Sequence, residues 1–310
     1  MADELSTGSG AAPTWVHARG QMRLDVPRVM AVVNLTPDSF FDGGNLLPPG
    51  RDDPNAAMAV RRCLGLVQDG ADILDLGGES TRPGAEPVPT DIELRRVLPV
   101  LQRLVADATL ALVPISIDTR RAVVARAAMA AGAAIINDVS GLADPAMATV
   151  AAETGAGLVL GHLRGEPATM QHGIAFNDIL AEVAAELSKA VERALRAGVA
   201  GECIVVDPGI GFGKTAEQSA ALVAAAIDLA HATGCPVLVG ASRKAFLGAI
   251  TGRSVGERMI ASVAAAVIAV EHGASIVRVH DVGPTAEALR VAAAVRRAYG
   301  ATRGERRPAP

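Results

Sequence analysis

Four stretches decide the fold: Asp69-Gly-Ala-Asp-Ile-Leu-Asp75, Ala131-Gly-Ala-Ala-Ile-Ile-Asn137, Thr154-Gly-Ala-Gly-Leu-Val-Leu160 and His272-Gly-Ala-Ser-Ile-Val-Arg278. Each follows a helical stretch and reads Gly-Ala, then a short apolar run. In three of them the residue five places after the glycine is polar. Glycine suits the left-handed position that stops a helix. An apolar run without alternation is a strand buried on both faces, as parallel strands are. Helix stop, buried strand and polar end, repeated this way, mark βα units.

Extending outward from these four copies, the same pattern predicts eight strands. They lie near Val29–Leu35, Ile73–Leu76, Val113–Asp118, Ile135–Asn137, Gly157–His162, Ile204–Asp207, Val237–Gly240 and Ile276–His280. Helical stretches separate them, among them Pro54–Asp69, Asp91–Asp107, Arg120–Ala131, Asn177–Ala197, Thr215–Ala232 and Gly256–His272. Eight such units fit an α/β fold of the (β/α)8 TIM barrel type, a single domain. A doubly wound open sheet is the competitor, but it concentrates its site at one switch point. Here the polar strand ends are spread along the whole chain, which favours the barrel. Residues 1–24 are Ser/Gly/Ala-rich and aperiodic and read as a flexible N-terminal arm. Residues 25–300 form the barrel, and 301–310 read as a disordered tail.

Composition agrees with a large single core. The chain has 310 residues, 50% hydrophobic and 20% charged, with a net charge of −4. A chain of this size buries about three-quarters of its unfolded surface and needs no disulfide or structural metal. Cys63, Cys203 and Cys235 form no CxxC pair, which points to a reducing, cytoplasmic setting. No Lys/Arg run supports nucleic-acid binding. The longest apolar run, Met259 to Val270, is too short to span a bilayer, so no membrane partner is expected. The N-terminus has neither the basic nor the apolar region of a signal peptide.

In a barrel, the C-terminal strand ends converge on one mouth. Those ends are Asn34, Asp75, Asp118, Asn137, His162, Asp207, Ser242-Arg-Lys244 and Arg278-Val-His280. Asp118, Asn137 and Asp207 supply carboxylate and amide groups able to read a flat, nitrogen-rich heterocycle. A buried acceptor of this kind rejects an analogue lacking the donors by roughly 10⁴–10⁵. Lys244, Arg278 and His280 form a positive side suited to a phosphate or pyrophosphate. Two long polar loops, Asn34 to Gly44 and Gly77 to Gly84, combine Gly, Pro and charge as active-site loops do. Asp207-Pro-Gly-Ile-Gly-Phe-Gly-Lys-Thr215 fails the Walker spacing, because Pro208 stands where its first glycine belongs. HExxH and Gly-x-Ser-x-Gly are absent.

Seven motifs together resemble the bacterial dihydropteroate synthases, a family of pterin-binding enzymes. They are Asn34-Leu-Thr-Pro-Asp-Ser-Phe40, Asp75-Leu-Gly-Gly-Glu-Ser-Thr-Arg-Pro-Gly-Ala85, Ile117-Asp-Thr119, Asn137-Asp-Val139, Asp207-Pro-Gly-Ile-Gly-Phe-Gly-Lys214, Gly240-Ala-Ser-Arg-Lys244 and Arg278-Val-His-Asp281. The resemblance runs from about Val29 to Tyr299. It implies a transferase of folate biosynthesis that joins p-aminobenzoate to 6-hydroxymethyl-7,8-dihydropterin pyrophosphate, with Mg²⁺ as helper, acting as a homodimer. It further implies that Asp118, Asn137, Asp207, Phe212, Lys244 and Arg278 bind the pterin. Asn34, Arg278 and His280 would hold the pyrophosphate, with Asn34 also on Mg²⁺, and Asp38 would stabilise the cation formed. Phe40, Thr81, Arg82, Pro83, Phe212, Ser242 and Lys244 would shape the p-aminobenzoate pocket. The small molecules are its expected partners.

One local departure stands out. Leu160-Gly-His-Leu-Arg-Gly165 replaces the family's Met-His-Met-Gln-Gly, and a roomier pterin pocket is expected where these positions line it. Two alternatives have the same barrel. A methyltetrahydrofolate:corrinoid methyltransferase shares the Asp/Asn contacts but has no use for the intact Ser-Thr-Arg-Pro and Ser-Arg-Lys segments. A catalytically silent pterin-binding paralogue keeps every motif.

Overall fold

The computed structural model describes residues 13–36, 55–80, 84, 86–166 and 169–302. A hairpin of β1 (Thr14–His17) and β2 (Gly20–Arg23) comes first. The barrel strands are β3 (Arg28–Asn34), β4 (Ile73–Gly77), β5 (Ile115–Asp118), β6 (Ile135–Asp138), β7 (Gly157–Gly161), β8 (Ile204–Asp207), β9 (Leu238–Val239) and β10 (Ile276–Val279). Around them lie α1 (Ala56–Gln68), α2 (Thr90–Ala106), α3 (Ala122–Ala130), α4 (Met147–Thr154) and α5 (Ile179–Arg196). The outer ring continues with α6 (Ala216–Val223), α7 (Ala226–Thr233), α8 (Ala245–Thr251), α9 (Met259–Glu271) and α10 (Val282–Thr302).

All eight strands pair in parallel in the order β8-β7-β6-β5-β4-β3-β10-β9. The circle closes through a parallel bridge between Val206 and Val237 and the Val206 N–H donated to the Pro236 carbonyl at 3.0 Å. The eight predicted strands are therefore present and form the barrel. The four diagnostic glycines all have positive φ, from 62° at Gly155 to 109° at Gly70, as a helix stop requires.

Strand periodicity then stacks the interior in layers. Met30, Ile73, Ile135, Val159, Val205, Leu238 and Ile276 pack together as the inner apolar layer. Two residues further along the same strands come Val32, Asp75, Asn137, Gly161, Asp207, Gly240 and Arg278. The polar layer thus sits directly above the apolar one, at the C-terminal mouth.

Three expectations are corrected. Residues 14–23, read as part of a flexible arm, form the β1–β2 hairpin instead. Trp15 is fully buried against the inner apolar layer and donates from Nε1 to the Cys203 carbonyl at 2.8 Å. Two four-residue strands are too short to leave a clear period. The stretch 215–232, read as one helix, is two, α6 and α7, parting at Ala224 and Ala225. Helix α10 runs to Thr302, two residues into the stretch read as a tail. The remaining residues of both termini, 1–12 and 303–310, lie outside the described residues.

Candidate active site

Arg278, on β10, is the hub of the mouth. Its Nε donates to Asp75 Oδ2 at 2.6 Å and its Nη2 to Asp118 Oδ2 at 2.7 Å. Asn137 Nδ2 donates to the same Asp75 oxygen at 3.1 Å. One part-buried guanidinium is therefore flanked by two buried carboxylates. Arg278, read with Lys244 and His280 as the positive side, lines the cavity with them and also braces the two carboxylates. Asp75 was legible as a strand end, but its place in this cluster was not.

Burial is the largest influence on Asp118 and pushes its carboxyl up to about 7. Arg278 and Lys244 oppose the rise, whereas Asp75 and Glu93 add to it. Asp118 Oδ1 is buried and has no hydrogen-bond partner among the described residues. Asp207 is also raised by burial, against the Gly209 N–H donated to its Oδ1 at 2.7 Å and the nearby Lys244, Arg278 and Lys214. Gly240 lies beside it: a Cβ there would make ordinary contact, at 3.8 Å, with Asp207 Oδ2 and Arg278 Cβ.

A cavity of about 730 Å³ opens above this layer. Asn34, Asp118, Phe212, Ser242, Lys244, Arg278 and His280 line it. Asn137 and Asp207 are buried without lining it. Lys244 Nζ lies 3.8 Å from the centre of the Phe212 ring, a cation–π contact between two lining residues. Ser242 Oγ accepts the His280 N–H at 3.2 Å and lies 3.1 Å from His280 Nδ1, joining the loops after β9 and β10. Sequence reading missed Met170, Gln171 and Lys214 in the lining. The expected Asp38, Phe40, Thr81, Arg82 and Pro83 lie outside the described residues.

The second polar loop is anchored at its base. Glu79 Oε1 accepts from the Val88 N–H at 2.9 Å and Arg121 Nη2 at 2.8 Å, and Oε2 from Arg120 Nε at 3.0 Å. Burial raises this carboxyl, but those partners outweigh it and hold it below its ordinary value.

The departure at 160–165 does not widen the pocket. A Cβ on Gly161 would lie 2.6 Å from Val139 Cα, so the backbone of the loop after β6 already fills the space a larger side chain would need. Gly161, Leu163 and Arg164 are outside the cavity lining. Arg164 points away, to Glu182 and Glu186 on α5, and lies 3.8 Å from the Phe176 ring centre.

Among the described residues, no group of three or more His, Cys, Asp or Glu is placed to hold a metal ion. Asn34 lends the cavity lining an amide oxygen. Mg²⁺ retains several waters and binds through substrate phosphates with few protein oxygens. The donor set thus fits an ion carried on a pyrophosphate.

Comparison with known proteins places this geometry. Residues 30–280 match the family described as pterin binding enzyme. The chain is 43% identical over 286 residues to the dihydropteroate synthase of Neisseria meningitidis serogroup B, covering 91% of this chain and 97% of that one. It superposes on Xanthomonas albilineans dihydropteroate synthase with 4-aminobenzoic acid at a TM-score of 0.82 and 42% identity, covering 92% and 99% of the two chains. The Burkholderia cenocepacia enzyme complexed with 7,8-dihydropteroate gives a TM-score of 0.80 and 41% identity, covering 93% and 98%. This chain belongs to the dihydropteroate synthase family of pterin-binding enzymes.

Proposed function

We propose that this chain condenses p-aminobenzoate with 6-hydroxymethyl-7,8-dihydropterin pyrophosphate to give 7,8-dihydropteroate and pyrophosphate. The observation that carries the reading is the buried Asp118, whose Oδ1 lacks a partner among the described residues while its carboxylate faces the cavity. A pterin edge offers adjacent N–H donors that would satisfy it. Asp207, Asn137, Phe212 and Lys244 complete that end, and Arg278 lies along the ring. Asn34 and His280 take the pyrophosphate, with Ser242 and Lys244 on the p-aminobenzoate side.

The chemistry is a dissociative substitution. The C–O bond to the pyrophosphate breaks and its electron pair leaves with the pyrophosphate. The methylene cation left behind is delocalised into the electron-rich pterin and faces the Asp118 carboxylate. The aromatic amine nitrogen donates its lone pair to form the C–N bond and then releases a proton to solvent. No strong general base is needed, because the aromatic amine attacks through its own lone pair and sheds its proton only afterwards. Asn34 would hold Mg²⁺ on the departing pyrophosphate, where it supplies neutralisation of the developing charge.

Buried Cys63, Cys203 and Cys235 support a reducing, cytoplasmic setting. Among the described residues no helix is long and apolar enough to cross a membrane. The exposed Ile250, Ile260, Val291 and Val295 on α8, α9 and α10 support a homodimer, which sedimentation would test.

The decisive assay mixes the protein with the dihydropterin pyrophosphate, labelled p-aminobenzoate and Mg²⁺. Label should appear in dihydropteroate, and EDTA and Lys244→Ala should abolish it. Lys244→Ala and Asp207→Asn should cost far more turnover than Arg164→Gln. Pterin binding without product would leave a silent paralogue. Equal losses in all three variants would undo the site map.

A further inference from the structure

A chain of polar groups runs from the glycine-rich turn after β8 to the surface of α5. Lys214 is only 3% exposed. Its Nζ donates to the Phe212 carbonyl at 3.0 Å and pairs with His162 Nδ1 at 2.9 Å, with the His162 carbonyl 3.4 Å away. An ammonium has three hydrogens and no lone pair, so Nδ1 is the acceptor and His162 carries its proton on Nε2. That proton points at Glu186 Oε2, 3.0 Å away. Arg164 grips Glu186 in turn and also bonds Glu182 and the Ala175 carbonyl. Donation therefore runs one way, from Lys214 through His162 to a carboxylate on α5.

The turn that Lys214 fastens has no slack. Gly209 has φ 67°, and a Cβ there would run into the His162 carbonyl. A Cβ on Gly213 would lie 2.8 Å from the Arg164 carbonyl. The turn lies directly on the backbone that follows β7. It carries Asp207, whose Oδ1 is bonded to the Gly209 N–H, and Phe212, whose ring meets Lys244.

We propose that Lys214 is a positioning residue for the pterin end of the site, fastening the turn that carries Asp207 and Phe212 onto the end of β7, with His162 and Glu186 holding it there. This rests on the assignment of Asp207 and Phe212 to the pterin. The groups facing Lys214 are His162 and Arg164 from the loop after β7, Glu186 from α5, Asp207 from its own loop and Lys244 from the loop after β9. Burial is the largest influence and brings the amine down to about 7, with Asp207 and Glu186 opposing and Lys244 and Arg164 assisting. Burial also brings His162 down to about 4, so its imidazole stays neutral and keeps the Nδ1 lone pair for the lysine. As pH rises through 7 the amine loses its charge, and the charge-assisted bond to Phe212 weakens.

The test compares wild type with Lys214→Met, Lys214→Arg and His162→Asn. Hydrogen exchange at the amides of residues 209–213 is followed without substrate, and kcat and KM for the dihydropterin pyrophosphate are followed from pH 6 to 9. Exchange should quicken in Lys214→Met and His162→Asn, and KM should rise roughly tenfold in Lys214→Met, the size expected for losing a charge-assisted bond. Wild-type kcat/KM should fall above about pH 7, and Lys214→Arg, always charged, should lose that fall. Unchanged exchange and KM in Lys214→Met, or an alkaline fall that persists in Lys214→Arg, overturns the proposal and leaves the transferase reading standing. Should Lys214→Met fail to fold, His162→Asn exchange and the Lys214→Arg profile decide. A wild type that makes no dihydropteroate overturns the transferase reading, and exchange alone then decides the role of Lys214.

Discussion

Arg278 Nε and Asp75 Oδ2 lie 2.6 Å apart, joined across 203 residues of sequence, and Asp75 is completely buried. Asp75 does not line the cavity, whereas Arg278 does. The carboxylate therefore acts by aiming the guanidinium and by neutralising it where water is excluded. Breaking such a pair from one side leaves an uncompensated buried charge and costs roughly 3–5 kcal/mol. Asp75→Asn should lower the unfolding free energy by about 3 kcal/mol in urea titration and weaken pterin binding at least tenfold. A variant within about 0.5 kcal/mol of wild type, the range of ordinary surface changes, would mean Asp118 alone compensates Arg278.

Asp118 gives a pH dependence of definite sign. Its folded carboxyl is raised by burial to about 7, above its ordinary value. The native state therefore keeps a proton that the unfolded chain gives up, and this contribution to stability is complete below about pH 4. It is lost as pH rises through about 7. Pterin affinity should move the opposite way, because only the ionised carboxylate accepts paired N–H donors. Binding should weaken as pH falls below 7, approaching about tenfold per unit, with proton release on binding seen by calorimetry in buffers of different ionisation heat. Asp118→Asn should remove both slopes; unchanged slopes would assign the titration to another group.

What could be read from sequence here was whatever is repeated or local. Ile135-Ile-Asn137 and its counterparts gave the strands, because a strand buried on both faces needs consecutive apolar residues and its polar end is one residue long. What could not be read was pairing across the barrel: Asp75 with Arg278, or Lys214 with His162, depends on which strand ends meet. Arg243 gave no signal either, since its left-handed φ of 57° falls on a residue that rarely adopts it. Gly161 was open from sequence: its missing side chain would give room only where it lined the pocket, and the backbone of Val139 occupies that space.

Trp15 illustrates the same limit at the other end of the barrel. It closes the base of the inner apolar layer with Leu24, and its indole N–H is satisfied by the Cys203 carbonyl. Trp15→Ala would open a cavity and strand that carbonyl, for a loss of about 3–5 kcal/mol. The polar layer lies above the intervening side chains, so kcat at a temperature where the variant stays folded should remain within about twofold, as expected for sites without shared partners. A tenfold loss of kcat with little change in stability would show that the plug shapes the mouth.

The ion pair between Arg243 and Asp281 carries the last prediction. Arg243 stands between Ser242 and Lys244, both in the cavity lining, and Asp281 follows His280. Holding a non-glycine residue left-handed costs about 1–3 kcal/mol and persists where the surroundings over-determine it. Here they do: the Arg243 N–H reaches Ser262 Oγ at 2.9 Å, and its carbonyl accepts from Arg258 at 3.2 Å. Its guanidinium forks onto Asp281 at 3.0 and 2.5 Å. Arg243→Gly removes the backbone cost together with the pair, whereas Asp281→Asn removes only the charge. If the pair sets Ser242 and Lys244, both variants should lose kcat/KM by about 10–100-fold, in line with losing a charge-assisted bond, and Arg243→Gly should do so with a melting temperature close to wild type. Kinetics within about twofold in Asp281→Asn would leave Ser262 and Arg258 as sufficient supports, since the pair would then contribute less than 1 kcal/mol.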